Sequence, residues 1–326
     1  MAQHFLLTRH AKSMTLGQIM KMTDQQAEDV FRNLRWEGGK AHCPRCGGVD
    51  PYEDRRPSGA LRFRCKACKA GFSITSGTLF HSHKLPLRSY LLAVLIFCNE
   101  VKGKSALALS RDLGIQHKHA WVLAHKLREA MAQDMKGAGI GGDGETVEID
   151  GAYFGGYVKP ANFKEHRRDR RLAQNQTGKR KVVVALRERG GNILTTVAKS
   201  EGAAIPFIRE RIARGTKVQA DEANAWNDLG ARYVMHRINH QEAYSDGQAC
   251  TNEVESFFSR IRRAEVGHHH HIAGPYLLRY AQESAWREDR RRFSNGEQVK
   301  ATVRNALLAK PSVDFCGYAQ RNKVPA

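Results

Sequence analysis

The sequence predicts an α/β or α+β fold, and three features of its patterning lead to that expectation. Apolar residues recur at helical spacing over the first 40 residues and again from about Pro86 to Met135. A glycine-rich joint, residues 136–142, ends the second helical stretch. Beyond it the apolar pattern alternates as in strands and later returns to helical spacing. Strands are expected at 146–150, 181–186, 192–197 and 217–221, with a hairpin turn at Gly190–Gly191, and helices at about 203–214, 252–264 and 274–292.

These elements divide the chain into five segments. An N-terminal helical segment is expected over 1–40, and a turn-rich segment with paired cysteines over 41–80. A helical region that contains a helix-turn-helix pattern follows over 81–136. The α/β domain is expected over 143–295, and residues 296–326 are expected to form a C-terminal tail.

The charge balance predicts a polyanionic partner. Lys and Arg number 53 against 33 Asp and Glu, which gives a formal net charge of +20. Nucleic acid is the simplest partner for so basic a chain, and association with the ribosome is an alternative. The longest apolar run, Tyr90 to Cys98, is too short to cross a bilayer, and the N-terminus has no signal-peptide pattern. We therefore expect a cytoplasmic, nucleoid-associated protein with no membrane partner.

Four of the seven cysteines form two Cys-x-x-Cys pairs, Cys43 with Cys46 and Cys65 with Cys68. The spacing between the pairs is typical of a four-cysteine zinc site in a reducing compartment. Each pair places two thiolates on one side of a tight turn, and two such turns complete a tetrahedron. We predict a structural Zn²⁺ site in a zinc ribbon; a redox pair or buried free thiols are the alternative.

A helix that ends at Gly114 is followed directly by a second predicted helix. Two helices joined by a short turn that contains glycine are the outline of a DNA-reading helix-turn-helix. Lys118 and Lys126 on the second helix are predicted to contact DNA phosphates. The alternative is a helical hairpin that only packs on the ribbon.

Two aspartates each end a predicted strand. In residues 146–150 the strand period of two puts Val147 and Ile149 on one face and Glu148 and Asp150 on the other. The same period places Asp221 at the end of the strand 217–221, on the face away from its apolar residues. Each acid alone is more often a turn residue or a helix cap than a catalyst.

A third carboxylate lies on the predicted helix 252–264, whose apolar stripe is that of an amphipathic helix. Glu255 lies beside this stripe, and Glu253 is a rival carboxylate. A structural alternative makes Asn252 the N-cap of the helix and Glu255 its partner in a capping box.

Two strand-borne aspartates and a helix-borne glutamate suit two Mg²⁺ ions, which prefer oxygen ligands. We predict that Asp150, Asp221 and Glu255 hold these ions, with Mn²⁺ able to replace Mg²⁺. Such a pair of ions activates an attacking water or 3′-hydroxyl and stabilises the leaving oxygen of a phosphodiester.

Basic residues near these acids are predicted to bind the DNA backbone. Arg262 lies two helical turns beyond Glu255 and would contact the nearby phosphate. The basic stretch Lys164 to Lys181, which includes Arg167 and Arg168, and the stretch from Trp286 to Arg292 would hold further phosphates.

Together these segments resemble the insertion-sequence DDE transposases that carry an N-terminal zinc ribbon. The resemblance covers roughly residues 20–295. It is carried by both Cys-x-x-Cys pairs, Glu148 to Gly156, Asp221 in Ala-Asp-Glu, Asn252 to Phe258, and Gly267 to Ile272 with Tyr280, Glu283, Trp286 and Arg287.

The resemblance implies an RNase H-like catalytic domain behind the zinc ribbon, and Mg²⁺-dependent strand cleavage and transfer. It also implies recognition of terminal inverted repeats in double-stranded DNA. In this family pattern Asp150 and Asp221 are the two aspartates and Glu255 is the glutamate. Some related elements use asparagine in the third position, so Asn252 is a rival ligand, and Glu283 is a more distant one. Because two element ends and a target DNA must be joined, a homo-oligomer of at least two copies is expected.

Four consecutive histidines, His268 to His271, lie in a segment that matches the family. One of them could contact the scissile phosphate or a metal ion. The alternative is a solvated or packed loop after the helix.

The sequence therefore predicts a DNA transposase that binds element ends and catalyses metal-dependent cleavage and strand transfer. The first rival is an RNase H-like nuclease that cuts DNA without joining it. The second is a zinc-ribbon DNA-binding regulator whose catalytic half is degenerate, and the three intact acids argue against it.

Overall fold

The computed structural model of the protein describes residues 4–57, 59–155, 161–168, 180–238 and 250–318. The chain divides into two units, the first formed by Met1–Asp134 with Arg290–Ala326 and the second by Met135–Asp289. The second unit corresponds to the predicted α/β domain, although both its borders lie several residues before the expected 143 and 295. Along the described residues, no helix is long and apolar enough to span a bilayer.

Five of the six described α-helices of the first unit lie in the stretches where helical spacing predicted them. Three of the six begin at capping boxes, in which Thr15, Thr23 and Ser294 are the N-cap residues. The described helices of this unit are α1 (Leu16–Lys21), α2 (Asp24–Arg35), α3 (Leu87–Asn99), α4 (Ala106–Leu113), α5 (His117–Ala132) and α9 (Asn295–Leu308).

The helix α9 corrects the expectation of a tail that begins at residue 296. Its residues Val299, Val303 and Leu307 recur every four positions and are buried within the first unit. Ser294 caps the helix by accepting a hydrogen bond from the backbone N–H of Glu297, whose carboxylate accepts from the N–H of Ser294 in return. The Ser-x-x-Glu signal and the apolar spacing are both visible in the sequence. Residues 319–326 lie outside the described part of the chain.

A small antiparallel sheet of order β1-β2-β3 lies in the chain segment that carries the cysteine pairs. Its strands are β1 (Tyr52–Arg55), β2 (Leu61–Arg64) and β3 (Gly71–Phe72). β1 has no apolar alternation in the sequence, because all four of its residues are exposed and three are charged. Phe63 stacks on Phe72 with 5.1 Å between ring centroids, and Trp36 packs edge-on against Phe63. This aromatic cluster stabilises a segment too short for a large aliphatic core.

A five-stranded mixed sheet forms the centre of the second unit, with the strand order β6-β5-β4-β7-β8. β4, β5 and β6 form an antiparallel meander with a turn at Gly190–Gly191, whereas β7 is parallel to β4 and β8 is parallel to β7. The edge strand β8 is only partly buried and was not predicted. The strands are β4 (Thr146–Phe154), β5 (Lys181–Glu188), β6 (Ile193–Ala198), β7 (Lys217–Asp221) and β8 (Val234–Ile238).

Helices cover both faces of this sheet. On one face Val147 and Ile149 of β4 pack with α6 (Ile205–Arg211). On the other face Ala152 and Phe154 pack with α7 (Asn252–Ala264) and α8 (Leu277–Asp289). Because side chains of a strand alternate between faces, the even-numbered residues of β4, including both its acids, belong to the face covered by α7.

Candidate active site and metal centre

The four paired cysteines form one cluster. The Sγ–Sγ distance is 3.6 Å for Cys43 with Cys68 and for Cys46 with Cys65, and all four sulfurs lie within 4.8 Å of one another. Four sulfurs at about 2.3 Å from a tetrahedral Zn²⁺ are separated by about 3.8 Å, so the cluster has the size of such a site. No other set of three or more His, Cys, Asp or Glu side chains comes as close together within the described residues.

Both cysteine pairs have the same turn geometry. The N–H of Gly47 donates to the carbonyl of Cys43 at 2.9 Å, and the N–H of Lys69 donates to the carbonyl of Cys65 at 3.1 Å. The residue after each pair is in the left-handed region, with φ of 74° at Gly47 and 60° at Lys69. This local geometry turns both thiols of a pair to one side, which explains why spacing alone predicted the cluster.

Two of the four thiols have pKa values that are shifted in opposite directions. The N–H of Cys68, helped by that of Ala67, lowers the pKa of the Cys65 thiol to about 6, although burial acts against this shift. The N–H of Gly48 lowers the pKa of Cys46, but hydrogen bonds with the other thiols outweigh it and raise the pKa to about 11. One thiol therefore ionises readily while a neighbour holds its proton, as expected where a divalent cation is needed for full ionisation.

Asp150 and Asp221 lie side by side on adjacent parallel strands. The register of β4 and β7 pairs Glu148 with Gln219 and Ile149 with Ala220, so the two aspartates follow at the next position. β7 ends at Asp221. The strand period places both aspartates on the face of the sheet that α7 covers.

Hydrogen bonds orient both aspartates. The Oδ1 of Asp150 accepts from the N–H of Gly151 at 2.7 Å. The Oδ1 of Asp221 accepts from the indole Nε1 of Trp226 at 2.8 Å and from the N–H of Ala223 at 3.2 Å. Because Trp226 is completely buried, its indole holds the carboxylate of Asp221 in one orientation.

Glu255 lies in the first turn of α7. Its Oε1 accepts a hydrogen bond from the hydroxyl of Thr251 at 3.1 Å. The N-cap of α7 is Thr251 rather than Asn252, and no capping box forms there. The interpretation of Asn252 and Glu255 as a capping pair is therefore wrong.

Asp150 lies close enough to the other two predicted acids for their charges to act on it. Burial raises the pKa of Asp150 to about 7, and the N–H of Gly151 acts against this shift. The negative charges of Asp221, Glu255 and Glu201 raise the pKa further. The carboxylates do not all come within 4.8 Å of one another. Mutual repulsion of this kind is relieved by a bound cation.

A fourth carboxylate, that of Glu201, was not predicted. A Cβ atom on Gly151 would lie only 2.6 Å from the Oε1 of Glu201, so this carboxylate packs directly on the strand beside Asp150. Burial and then the charge of Asp221 raise the pKa of Glu201. In the sequence Ser200-Glu201-Gly202 has the composition of an ordinary turn, and only the fold brings it to β4.

The rival third ligands have other positions or partners. Glu253 pairs with Arg187, with 2.9 Å between Oε2 and Nε. Glu283 is 2% exposed and pairs with Arg287 one turn along α8 at 2.8 Å. Asn252 is the exposed first residue of α7. The arrangement therefore favours Glu255 over these three.

Most predicted DNA-binding residues of the second unit are on the surface. Arg262 is exposed in the last turn of α7. Arg167 and Arg168 are exposed, and the guanidinium of Arg167 donates to the carbonyl of Ala161 at 3.2 Å. The remainder of that basic stretch, 169–179, lies outside the described residues.

The predicted helix-turn-helix segment consists of α4 and α5. Gly114 ends α4 in the left-handed conformation, with φ of 62°, and α5 begins at His117. Lys118 is exposed in the first turn of α5. Lys126 is only partly exposed, and burial lowers its pKa, so it is less suited to a phosphate contact than Lys118.

The histidine run follows α7. A single π-helical turn covers Glu265–His269, and His270 has a positive φ of 56°. The ring of His269 packs edge-on against Tyr280 with 4.7 Å between centroids. This placement favours the alternative of a packed loop over a metal site.

A cationic groove of about 1010 Å³ in the first unit was also not predicted. The ribbon strands, α2 and the segment 81–87 line it. Burial, followed by the positive charges of Arg62 and Lys84, lowers the pKa of His83 inside the groove. Its charged lining residues are Arg55, Arg56, Arg62 and Lys84 against Asp24 and Glu28. A groove of this charge suits an anionic polymer.

The fold and sites define a protein that joins a tetrathiol ribbon to an α/β domain with acids gathered on two adjacent parallel strands and the helix beside them. Residues 22–71 match the transposase zinc-ribbon domain, and residues 142–289 match the ISXO2-like transposase domain. Over 299 residues the chain is 22% identical to a Halobacterium salinarum protein described as lying in the transposable element ISH50, across 88% of this chain and 98% of that relative. The chain belongs to the insertion-sequence transposases that carry an N-terminal zinc ribbon, which confirms the resemblance.

Proposed function

We propose that this transposase binds the ends of its element and catalyses divalent-metal-dependent cleavage and transfer of DNA strands. The observation that carries the proposal is the side-by-side placement of Asp150 and Asp221 with Glu255 close enough to affect the pKa of Asp150. A buried carboxyl whose pKa is raised beside other acids, as that of Asp150 is, is typical of functional sites.

The topology of the second unit supports an RNase H-like catalytic domain. Its antiparallel meander is continued by two parallel strands that return through helices, in the order β6-β5-β4-β7-β8. Ligands of such sheets bind outside the carboxyl ends of parallel strands. Asp221 ends β7, and Asp150 is the residue of β4 that follows the last paired position of the β4–β7 ladder.

The donor atoms of the site fit Mg²⁺, or Mn²⁺ in its place. Carboxylate oxygens are the ligands that hard divalent cations prefer, and Asp150, Asp221 and Glu255 would hold them. When bound, two such ions supply activation of a water or 3′-hydroxyl and stabilisation of the leaving oxygen.

The surrounding side chains set the position of these acids and of the DNA. The indole of Trp226 orients Asp221, and the hydroxyl of Thr251 orients Glu255. Arg262, two turns beyond Glu255 on α7, is proposed to bind a phosphate beside the cleaved bond.

In the first unit the tetrathiol cluster is proposed to hold a structural Zn²⁺. Four thiolates leave no open coordination position for chemistry, so the metal would serve the fold of the ribbon. Exposed Lys118 of α5 and the cationic groove are the proposed contacts to double-stranded DNA. Joining two element ends to a target requires at least two copies of the chain, so we propose a homo-oligomer.

The test is nicking and strand transfer on a labelled duplex that carries the terminal repeats flanking the gene. Asp150→Asn, Asp221→Asn and Glu255→Gln keep the shape of each side chain and remove its charge. We expect them to retain DNA binding and lose both activities by roughly 10³-fold. Glu253→Gln is the matched control on the same helical turn and is expected to remain active.

Other outcomes would favour the rivals. Wild type that cuts but never joins would indicate a nuclease, and wild type that binds without cutting at any divalent metal would indicate a regulator. Loss of activity in Asn252→Ala or Glu283→Ala, with Glu255→Gln still active, would show that the third ligand is wrongly assigned.

A further inference from the structure

The first turn of α7 is capped by a side chain of β4 rather than by its own N-cap residue. The Oε2 of Glu148 accepts hydrogen bonds from the backbone N–H groups of Glu253 at 2.9 Å and Val254 at 3.1 Å. Thr251, the N-cap residue, makes no side-chain cap hydrogen bond. A carboxylate at this position satisfies N–H groups that a helix leaves unpaired and complements the helix dipole. The beginning of α7 is therefore attached to β4.

Arg189 extends this attachment to β7. Glu148 is completely buried, and the Nε of Arg189 pairs with its Oε1 at 3.0 Å. The Nη2 of the same guanidinium donates to the Oε1 of Gln219 on β7 at 2.5 Å. That oxygen also accepts from the N–H of Cys250, in the segment that leads into α7. One connected network thus contacts β4, β7 and the start of α7.

The network lies next to the three acids, on the same face of the sheet. Glu148 and Gln219 are register partners, and each precedes its strand's aspartate by two residues on the same face. Two strand residues span about 6.6 Å, so the network lies about that far from the aspartate pair along the two strands. Glu255, the third acid, lies in the same helical turn whose N–H groups Glu148 binds.

The geometry points to Glu148, Arg189 and Gln219 as a positioning network that holds the helix of Glu255 at a fixed distance from Asp150 and Asp221. This inference rests on the proposed function. The apolar side of α7 packs on the sheet, and the network adds directional hydrogen bonds at the first turn of the helix, where Glu255 lies. Metal-dependent chemistry needs its ligands held within about 0.5 Å, and charge-assisted hydrogen bonds to the buried Glu148 restrict the movement of the first turn of α7.

The test compares Glu148→Gln with two controls. Glu253→Gln makes the same chemical change in the same turn but removes only a partly exposed ion pair with Arg187. Leu229→Ala removes a buried side chain that packs on the other face of the sheet, and it serves as a control for lost stability. The full-length variants are compared by hydrogen exchange of the peptide 250–258, by Mn²⁺ titration, and by kcat, KM and the Mg²⁺ dependence of cleavage.

We expect Glu148→Gln to exchange faster across 250–258, to bind Mn²⁺ more weakly, and to lower kcat about 10²-fold with KM for DNA unchanged. Leu229→Ala is expected to lower Tm without changing the metal requirement. Arg189→Lys, which keeps the charge but not the two-point contact, is expected to give an intermediate result and tests the proposal should Glu148→Gln fail to fold.

Unchanged exchange in Glu148→Gln would overturn the proposal. So would faster exchange with wild-type kcat and Mn²⁺ affinity, since the network would then serve stability alone. If wild type binds Mn²⁺ but does not cut DNA, the proposed function fails, and the exchange and Mn²⁺ data still decide the role of the network.

Discussion

Gly151 and Glu201 are in direct contact across the sheet, and the position leaves no room for a side chain on the glycine. An ideal Cβ at Gly151 would lie 2.6 Å from the Oε1 and 2.7 Å from the Cγ of Glu201. The glycine next to Asp150 thus allows a fourth carboxylate to approach the site. The same contact gives the first prediction.

Gly151→Ala is expected to displace Glu201 and to lower the free energy of unfolding by about 1–3 kcal/mol. Gly202→Ala is the matched control, because nothing lies within 4 Å of a Cβ at Gly202. Chemical denaturation measures both variants. The double variant Gly151→Ala with Glu201→Ala should recover stability, and equal stability of the two glycine variants would contradict the contact.

The pKa of Asp150 predicts how stability depends on pH in Mg²⁺-free buffer. The pKa is about 7 in the folded protein, because of burial and then of neighbouring acids, against about 3.9 in an unfolded chain. Between these values the folded state binds the additional proton, so the free energy of unfolding falls as pH rises from about 4 to about 7. The loss amounts to a few kcal/mol.

Thermal unfolding of wild type and Asp150→Asn at about pH 5 and about pH 8 measures this dependence. Asp150→Asn should remove most of the difference between the two conditions and should be the more stable protein at the higher pH. If Tm changed equally between the two pH values in both proteins, Asp150 would not be the titrating group.

Glu283→Gln is expected to act on stability rather than on chemistry. The change removes the charge that pairs with Arg287 in a nearly buried position, at a cost of about 3 kcal/mol. The folded fraction should retain the kcat and Mg²⁺ dependence of wild type. Cleavage assays at a temperature where the variant is folded separate the effect on stability from the effect on chemistry. A changed Mg²⁺ dependence would indicate that Glu283 is a metal ligand.

Lys118→Ala and Lys126→Ala are expected to differ in DNA binding. Removing a phosphate contact at Lys118 should weaken binding to all sequences and reduce the slope of log K against log salt by about 0.9. Lys126 is partly buried with a lowered pKa, so its variant should keep the wild-type slope. Fluorescence anisotropy over a range of salt concentrations measures both. The reverse ranking would favour the original assignment of Lys126.

Zinc removal is expected to unfold the ribbon. Wild type should carry about one Zn²⁺ per chain, and Cys65→Ser should lose it together with DNA binding. Cys98→Ser is the control, because Cys98 is buried elsewhere in the first unit beside Thr302. Metal analysis by mass spectrometry decides the point, and full zinc content in Cys65→Ser would contradict the four-thiolate site.

Local patterns in the sequence were sufficient for most elements and for two groups of site residues. The tetrathiol cluster follows from two tight turns, each formed by neighbouring residues. Asp150 and Asp221 lie on strands whose alternation is visible in a few residues, although β4 continues past Asp150 to Phe154. The strands β1 and β8 were missed because exposed edge strands lack the apolar alternation on which prediction depends.

The tertiary structure decided which acids meet and what holds them. Glu148 binds the N–H of a residue 105 positions away, and Glu201 reaches Gly151 from beyond β6. It also placed α9 in the first unit, where its apolar face is covered by helices from the other end of the chain. Spacing and period describe what neighbouring residues can form, whereas burial and capping across elements depend on which surfaces pack together. The sequence pattern therefore determined the turns and strands that carry the site residues. The packing of the sheet against its helices determined which of those residues are in contact.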